Sequence, residues 1–154
     1  MIDPRRVGRY ERIHAQLEGL IVGHSPNLIA AMATMCAVLH LKMPHHLWTG
    51  FYLVNGDELV VGPYQGPVAC QVLRGGGVCL HSVAMRQSVV VPDVHAFPGH
   101  IACDERAQSE IVIPVLKDHR VVAVLDIDSA RPAAFDADDV APLERIVGLL
   151  SPYL

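Results

Sequence analysis

The hydrophobic period of this chain changes twice along its length, and that change limits the folds open to it. Residues Pro4 to Val22 put Val7, Tyr10, Ile13, Leu17, Leu20 and Ile21 at spacings of three and four, the stripe of an amphipathic helix. Ser25 followed by Pro26 reads as an N-cap with proline at the first helical position. The apolar run from there to about Leu41, ahead of Pro44, predicts a second, largely buried helix. From Trp48 the period shortens: WTGFYLV, the turn residues Asn55, Gly56 and Asp57, and ELVVGPY predict a hairpin. Short apolar runs return at Ser88 to Val91, Glu110 to Leu116 and Val121 to Ile127, the last two joined by the polar turn KDHR as a second hairpin. FDADDVAPLERIVGLL returns to helical spacing, with Asp136 or Asp138 able to cap it and Pro142 near its start. Hairpins in the middle and helices at both ends predict an α+β fold, with a mostly antiparallel sheet carrying the N- and C-terminal helices on one face.

A length of 154 residues is that of one domain with one core, so residues 1–154 are expected to form a single unit. Hydrophobic residues make up 51%, yet no apolar run approaches the ~20 residues that span a bilayer, which argues against a membrane protein. Charges interrupt MIDPRRVGRYERIHAQL every few residues, leaving no apolar stretch of a secretory signal, and a cytoplasmic location is expected. The formal net charge is -4 and the basic residues are scattered, which argues against a nucleic acid partner.

Cytosolic thiols are kept reduced, so the four cysteines are read for chemistry rather than as a disulfide framework. Cys36, inside LIAAMATMCAVLHL, reads as core. Cys70, Cys79 and Cys103 sit among Gly, Pro, His and Asp, residues of loops that expose a thiol. The segment between Pro92 and Ser109, which holds Cys103, is long for a connection in a compact domain and is a candidate functional loop. A thiolate that attacks an electrophilic sulfur, with a second thiol to resolve the product, makes a redox cycle. Glu110 and Asp126 fall on neighbouring strands of the second hairpin, and alternation points Asp128 to the same side as Asp126. Acids beside a thiolate raise its pKa, so their use lies in binding a cationic substrate or donating protons. Nine histidines invite a zinc reading, but no C-x-x-C pair or H-E-x-x-H helix supports a metal at His95, His100 and Cys103. Those two histidines are read as shaping the loop or aiding proton transfer. Gly75 to Gly77 lacks the Lys and Ser or Thr of a phosphate loop and reads as a turn.

The strings WTGFYL, LVVGPYQG, VACQVLRGGGVC, VVVPDVHAFPGHIACDERAQSEIVIP and VAVLDIDSARPAAFD, in this order, resemble the free methionine-(R)-sulfoxide reductase family, whose fold is GAF-like. The likeness runs from Trp48 to about Leu150, and DVHAFPGHIACD followed by SEIV and LDID is its most specific part. It implies an oxidoreductase that uses no organic cofactor and no metal. It implies Cys103 as the nucleophile that expels methionine and becomes a sulfenic acid. Cys70 and Cys79 are similar to the family's other two cysteines, one or both of which form the disulfide that thioredoxin reduces. Glu110, Asp126 and Asp128 match the acids that hold the substrate and polarise the sulfoxide, and Trp48 and Tyr52 match the aromatic wall around its methyl end. Phe51, between those two aromatics, should face the other way. Cys70 and Cys79 are nine positions apart, one fewer than in the family, which shortens the Arg74 to Gly77 turn, and Leu80 and His81 make the wall after Cys79 bulkier. The alternative is a non-enzymatic GAF module that binds a small molecule or senses redox state. Turnover with dithiothreitol separates the two, and whether the chain forms a homodimer stays open.

Overall fold

The structure, a computed structural model, describes residues 3–154. Helix α1 (Pro4–Ile21) begins where the Asp3 carboxylate accepts the Arg5 N–H, with proline in the first turn, and it buries Tyr10, Ile13, Leu17 and Ile21. Leu20, expected in that stripe, lies at its edge and is exposed. Helix α2 (Leu28–Lys42) corrects the expected cap. The Asn27 side chain, three residues ahead of Ala30, accepts that residue's otherwise unpaired N–H at 2.9 Å, so Ser25 and Pro26 stay in the preceding turn.

Six strands form one antiparallel sheet in the order β3-β2-β1-β6-β5-β4. They are β1 (Trp48–Asn55), β2 (Glu58–Gln65), β3 (Val72–Leu73), β4 (Val89–Val91), β5 (Ser109–Lys117) and β6 (Arg120–Ser129). Both expected hairpins are present. In the second, Asp118 and His119 take φ values of 50° and 65°, the left-handed pair whose twist matches that of the flanking strands. The last α-helix, α4 (Val140–Val147), follows a 3-10 turn at Ala137–Asp139 and runs into a 3-10 helix at Gly148–Tyr153. Of the two expected caps it is Asp136 that acts: its carboxylate accepts the Asp138 N–H at 2.9 Å, and Asp139 returns the favour by accepting the Asp136 N–H at 2.8 Å. Pro142 falls in the first turn of α4, where the missing N–H costs nothing.

Alternation divides the sheet into two unlike faces. Phe51, Ile111, Ile113, Leu125 and Ile127 point to one side and bury against α1, α2 and α4, as expected for the terminal helices. Each such side chain contributes about 1.5–3 kcal/mol when fully buried, so this face carries most of the stability. Trp48, Tyr52, Val112 and Val124 point to the other side, where a helix that the sequence reading took for loop, α3 (Val78–Met85), packs over them through Val78 and Cys79. Gly77 caps α3 at φ 100° with no side-chain hydrogen bond, so the usual helix-start signal is absent. Among the described residues no helix is long and apolar enough to cross a membrane.

Candidate active site

A cleft opens on the α3 side of the sheet. Its floor is the paired strands β1, β6 and β5, where Trp48 lies opposite Asp128 and Asp128 in turn lies opposite Glu110. Asp126 is two residues from Asp128 on β6, so all three acids share the face that carries Trp48 and Tyr52. One wall is the start of α3 with Cys79. The rim is made by the segment before β3, which carries Cys70, and by the loop from His100 to Ala107, which carries Cys103. Every residue singled out for the site therefore converges here, although they span Trp48 to Asp128 in the chain.

The aromatic wall has its own supports. Trp48 stacks on Tyr52 with centroids 5.7 Å apart and on Tyr64 at 5.3 Å. A Cβ at Gly50 would come within 2.4 Å of the Trp48 ring, and one at Gly66, where φ is +119°, would meet the Leu47 carbonyl oxygen at 2.7 Å. These glycines and Tyr64 seat the indole, and the sequence reading passed over them. Glycine inside a strand pattern is the available signal, because it marks close approach of another group. The Tyr52 hydroxyl donates to the Cys70 carbonyl at 2.8 Å and ties the Cys70 segment to β1.

The three thiols part company. Cys70 and Cys103, 33 positions apart, are joined by a disulfide with Cα atoms 5.5 Å apart. The shortened Cys70 to Cys79 interval thus leaves Cys70 within bonding reach of Cys103. Cys79 is not a loop residue as expected: it is a free thiol in the first turn of α3, 3% exposed, and it donates to Glu110 Oε1 at 3.8 Å. A helix N-terminus lowers a thiol pKa, but burial comes first here, and the charges of Asp126, Glu110 and Asp128 add to it. The Cys79 thiol is pushed well above its ordinary range and stays protonated.

The acids are equally displaced. Burial, then the charges of Asp126 and Asp128, raises Glu110 well above the carboxylate range. Asp126 is raised by burial and held back by hydrogen bonds from Glu110 and Cys79, so Glu110 keeps the proton and Asp126 accepts it. Asp128, half-buried, is raised by burial and then by the charges of Asp126 and Asp104. Asp126 Oδ1 and Trp48 Nε1 are buried with no hydrogen-bond partner among the described residues. A buried acceptor and a buried donor left open cost about 1–3 kcal/mol each, and both line the cleft, so a ligand is their natural partner. Cys79 Sγ and oxygens of Glu110 and Asp126 lie within 4.8 Å of one another, close enough to surround an ammonium group or a metal ion. His100 lines the same cleft, and burial lowers its pKa, whereas His95 is exposed. Cys103 lines the cleft with His100 and is bonded to Cys70.

Comparison with known proteins agrees with this geometry. The GAF domain family matches residues 30–154. The chain is 38% identical over 146 residues to free methionine-R-sulfoxide reductase of Escherichia coli, covering 94% of this chain and 88% of that protein. The X-ray structure of free methionine-R-sulfoxide reductase from Neisseria meningitidis, in complex with its substrate, superposes with a TM-score of 0.89 at 39% identity, covering 94% of this chain and 87% of the other. The reduced form of fRMsr of Staphylococcus aureus gives a TM-score of 0.88 at 41% identity and covers 94% of both chains. The fold, the convergence of thiols and acids under one aromatic wall, and likeness over nearly the whole length together place this chain in the GAF-domain family of free methionine-R-sulfoxide reductases.

Proposed function

We propose that this protein, acting as one GAF-type domain, reduces free methionine-(R)-sulfoxide to methionine in a thiol cycle run by Cys103 and Cys70. The observation that carries this reading is the pairing of Cys70 with Cys103 at the rim of a cleft whose floor holds buried, incompletely satisfied acids. A free amino acid brings an ammonium group, and the open Asp126 Oδ1 is the acceptor best placed to receive it. Glu110, which keeps its proton, is suited to hydrogen-bond the sulfoxide oxygen and to protonate it. Trp48 and Tyr52 supply the apolar surface for the methyl end.

The cycle balances as follows. The Cys103 thiolate attacks sulfur, the sulfoxide oxygen is taken over with one proton, and methionine leaves while Cys103 becomes a sulfenic acid. The Cys70 thiol then attacks that sulfur, forming the disulfide and expelling water. A dithiol such as thioredoxin returns two electrons and two protons. Cys79, buried and protonated, takes no part in bond making and donates to Glu110. The reducing steps suit a cytoplasmic location.

The test is a chiral assay of the reduced protein with free methionine sulfoxide, its N-acetyl form and a peptide-bound form. The expected result is turnover of the free R epimer with dithiothreitol and little use of the other forms, which lack the ammonium charge. Equal use of free and N-acetylated substrate overturns the proposed ammonium site, and absence of any turnover overturns the enzyme in favour of a binding module.

A further inference from the structure

The two cysteines of the Cys70–Cys103 disulfide are not equally exposed. Cys103 is exposed, on the rim loop where it lines the mouth of the cleft, whereas Cys70 is half-buried, on a segment tied down by the Tyr52 hydroxyl. Thiol–disulfide exchange requires a thiolate to reach one chosen sulfur, and access decides which. Approach from the floor of the cleft is opposed by the negative charge of Asp126. Approach at the mouth of the cleft meets two exposed apolar side chains. Val68, two residues before Cys70, is 85% exposed, the most open of the large hydrophobic side chains among the described residues, and Ala102, next to Cys103, is exposed as well. Isolated exposed hydrophobics are ordinary, but two that flank a solvent-facing disulfide form a contact that a protein dithiol would cover and a small thiol would not need.

The geometry points to a docking site for a protein dithiol over Val68 and Ala102, with Cys103 Sγ as the atom attacked and Cys70 as the leaving thiol. The inference rests on the reading of this disulfide as the reducible pair. The reductant's first thiolate bonds to Cys103 Sγ, the bond between the two cysteines breaks, and its electron pair leaves on Cys70 Sγ, which takes a proton. The reductant's second thiol, deprotonated, then attacks its own sulfur in the mixed disulfide, and Cys103 departs as a thiolate. Two electrons have moved from the dithiol to the cysteine pair. Cys103 is thereby released last, in the charged form that the next sulfoxide needs.

The experiment uses the full chain, oxidised to the Cys70–Cys103 disulfide with diamide rather than with substrate, and a thioredoxin whose second active-site cysteine is replaced by serine. The mixture is quenched in acid within the first turnover, and the mixed disulfide is mapped by mass spectrometry. Attachment at Cys103 is expected; attachment at Cys70 overturns the order of attack. In a second arm, Val68→Asp should lower kcat/KM for thioredoxin 5-fold or more relative to the value with dithiothreitol, and an unchanged ratio overturns the docking site. Methionine yield in a single turnover of the reduced protein is read alongside. If methionine is not released although the adduct forms at Cys103, the proposed activity fails and the docking inference stands.

Discussion

Two buried aspartates, one on each side of the sheet, show how this fold separates architecture from chemistry. Asp139, under α1, is fully buried and fully engaged: Arg6 Nη1 donates to it at 2.9 Å, the Tyr10 hydroxyl at 2.8 Å and the Asp136 N–H at 2.8 Å. Asp126, on the other face, is nearly as buried at 5%, yet one of its oxygens has no partner and its neighbours are two more acids. The first arrangement is complete without a ligand and belongs to the core. The second is complete only with one. Burial alone therefore does not distinguish a structural acid from a binding acid; satisfaction of its lone pairs does.

The sharpest way to break this contrast is to test whether the α3 side carries chemistry while contributing little to stability. Cys103→Ser should reduce single-turnover methionine release to below about one-thousandth, since a serine hydroxyl is a far weaker nucleophile at neutral pH. Its melting temperature should match that of the reduced parent protein, because Cys103 is exposed. Near-normal methionine yield would remove Cys103 from the reaction, and a large loss of stability would erase the division between the faces.

Asp139→Ala tests the opposite face. It strands part of the Arg6 charge and the Tyr10 hydroxyl in the interior, which should cost about 3 kcal/mol and lower the melting temperature by roughly 6–12 °C in a chain of this size. The kcat of the protein that remains folded should stay within about 2-fold of the parent, as Asp139 is outside the cleft. A drop in kcat without a drop in melting temperature would reverse the assignment.

The acids of the cleft should show smaller effects with a distinctive pH signature. Glu110→Gln and Asp126→Asn should each lower kcat/KM for the free substrate by about 10-fold, in line with losing a charge-assisted hydrogen bond of roughly 1.5–3 kcal/mol. Asp128→Asn should act likewise. All three groups have folded-state pKa values raised above those of the unfolded chain. Their contribution to stability is therefore full below the ordinary carboxylate range, near pH 4, and is lost as pH rises through the raised values. The melting temperature of the substrate-free protein should fall as pH rises above the ordinary carboxylate range, and the amide variants should flatten that fall. Thermal melts of parent and Asp126→Asn with the same slope would show that the acids are not displaced.

Much of this contrast was legible before the structure. Alternation along LDID puts Asp126 and Asp128 on one face and Ile127 on the other, and the hairpin brings Glu110 to the same side, because a strand's period of two is insensitive to the rest of the fold. Phe51 follows the same rule, lying opposite Trp48 and Tyr52. Helix α3 was not legible: eight residues hold too few turns to display a period, and Gly77 gives its start no capping side chain. With α3 hidden, Cys79 read as a loop thiol equivalent to Cys70. The pairing of Cys70 with Cys103 bridges 33 positions and depends on where the sheet places two separate rim segments, which no local pattern records.

Cys79 is where the smallest effect is expected, and it is the residue that best sharpens the comparison. If it resolved the sulfenic acid, Cys79→Ser would release one methionine and then stop cycling with thioredoxin. Its position argues otherwise, since a thiol pushed well above its ordinary range by burial and three acids is almost wholly unionised at neutral pH and a slow nucleophile. Cys79→Ser should therefore keep thioredoxin-supported kcat within about 3-fold of the parent, because a hydroxyl can take over the hydrogen bond to Glu110, whereas Cys79→Ala should lose more by leaving that carboxyl without its donor. Cys70→Ser, by contrast, should stop after a single methionine. Iodoacetamide applied to the reduced native protein should label Cys103 first and leave Cys79 unmodified until the chain is unfolded. Early alkylation of Cys79, or a Cys79–Cys103 bond in the peptide map of the oxidised protein, would move this thiol from the binding acids' company into the redox cycle.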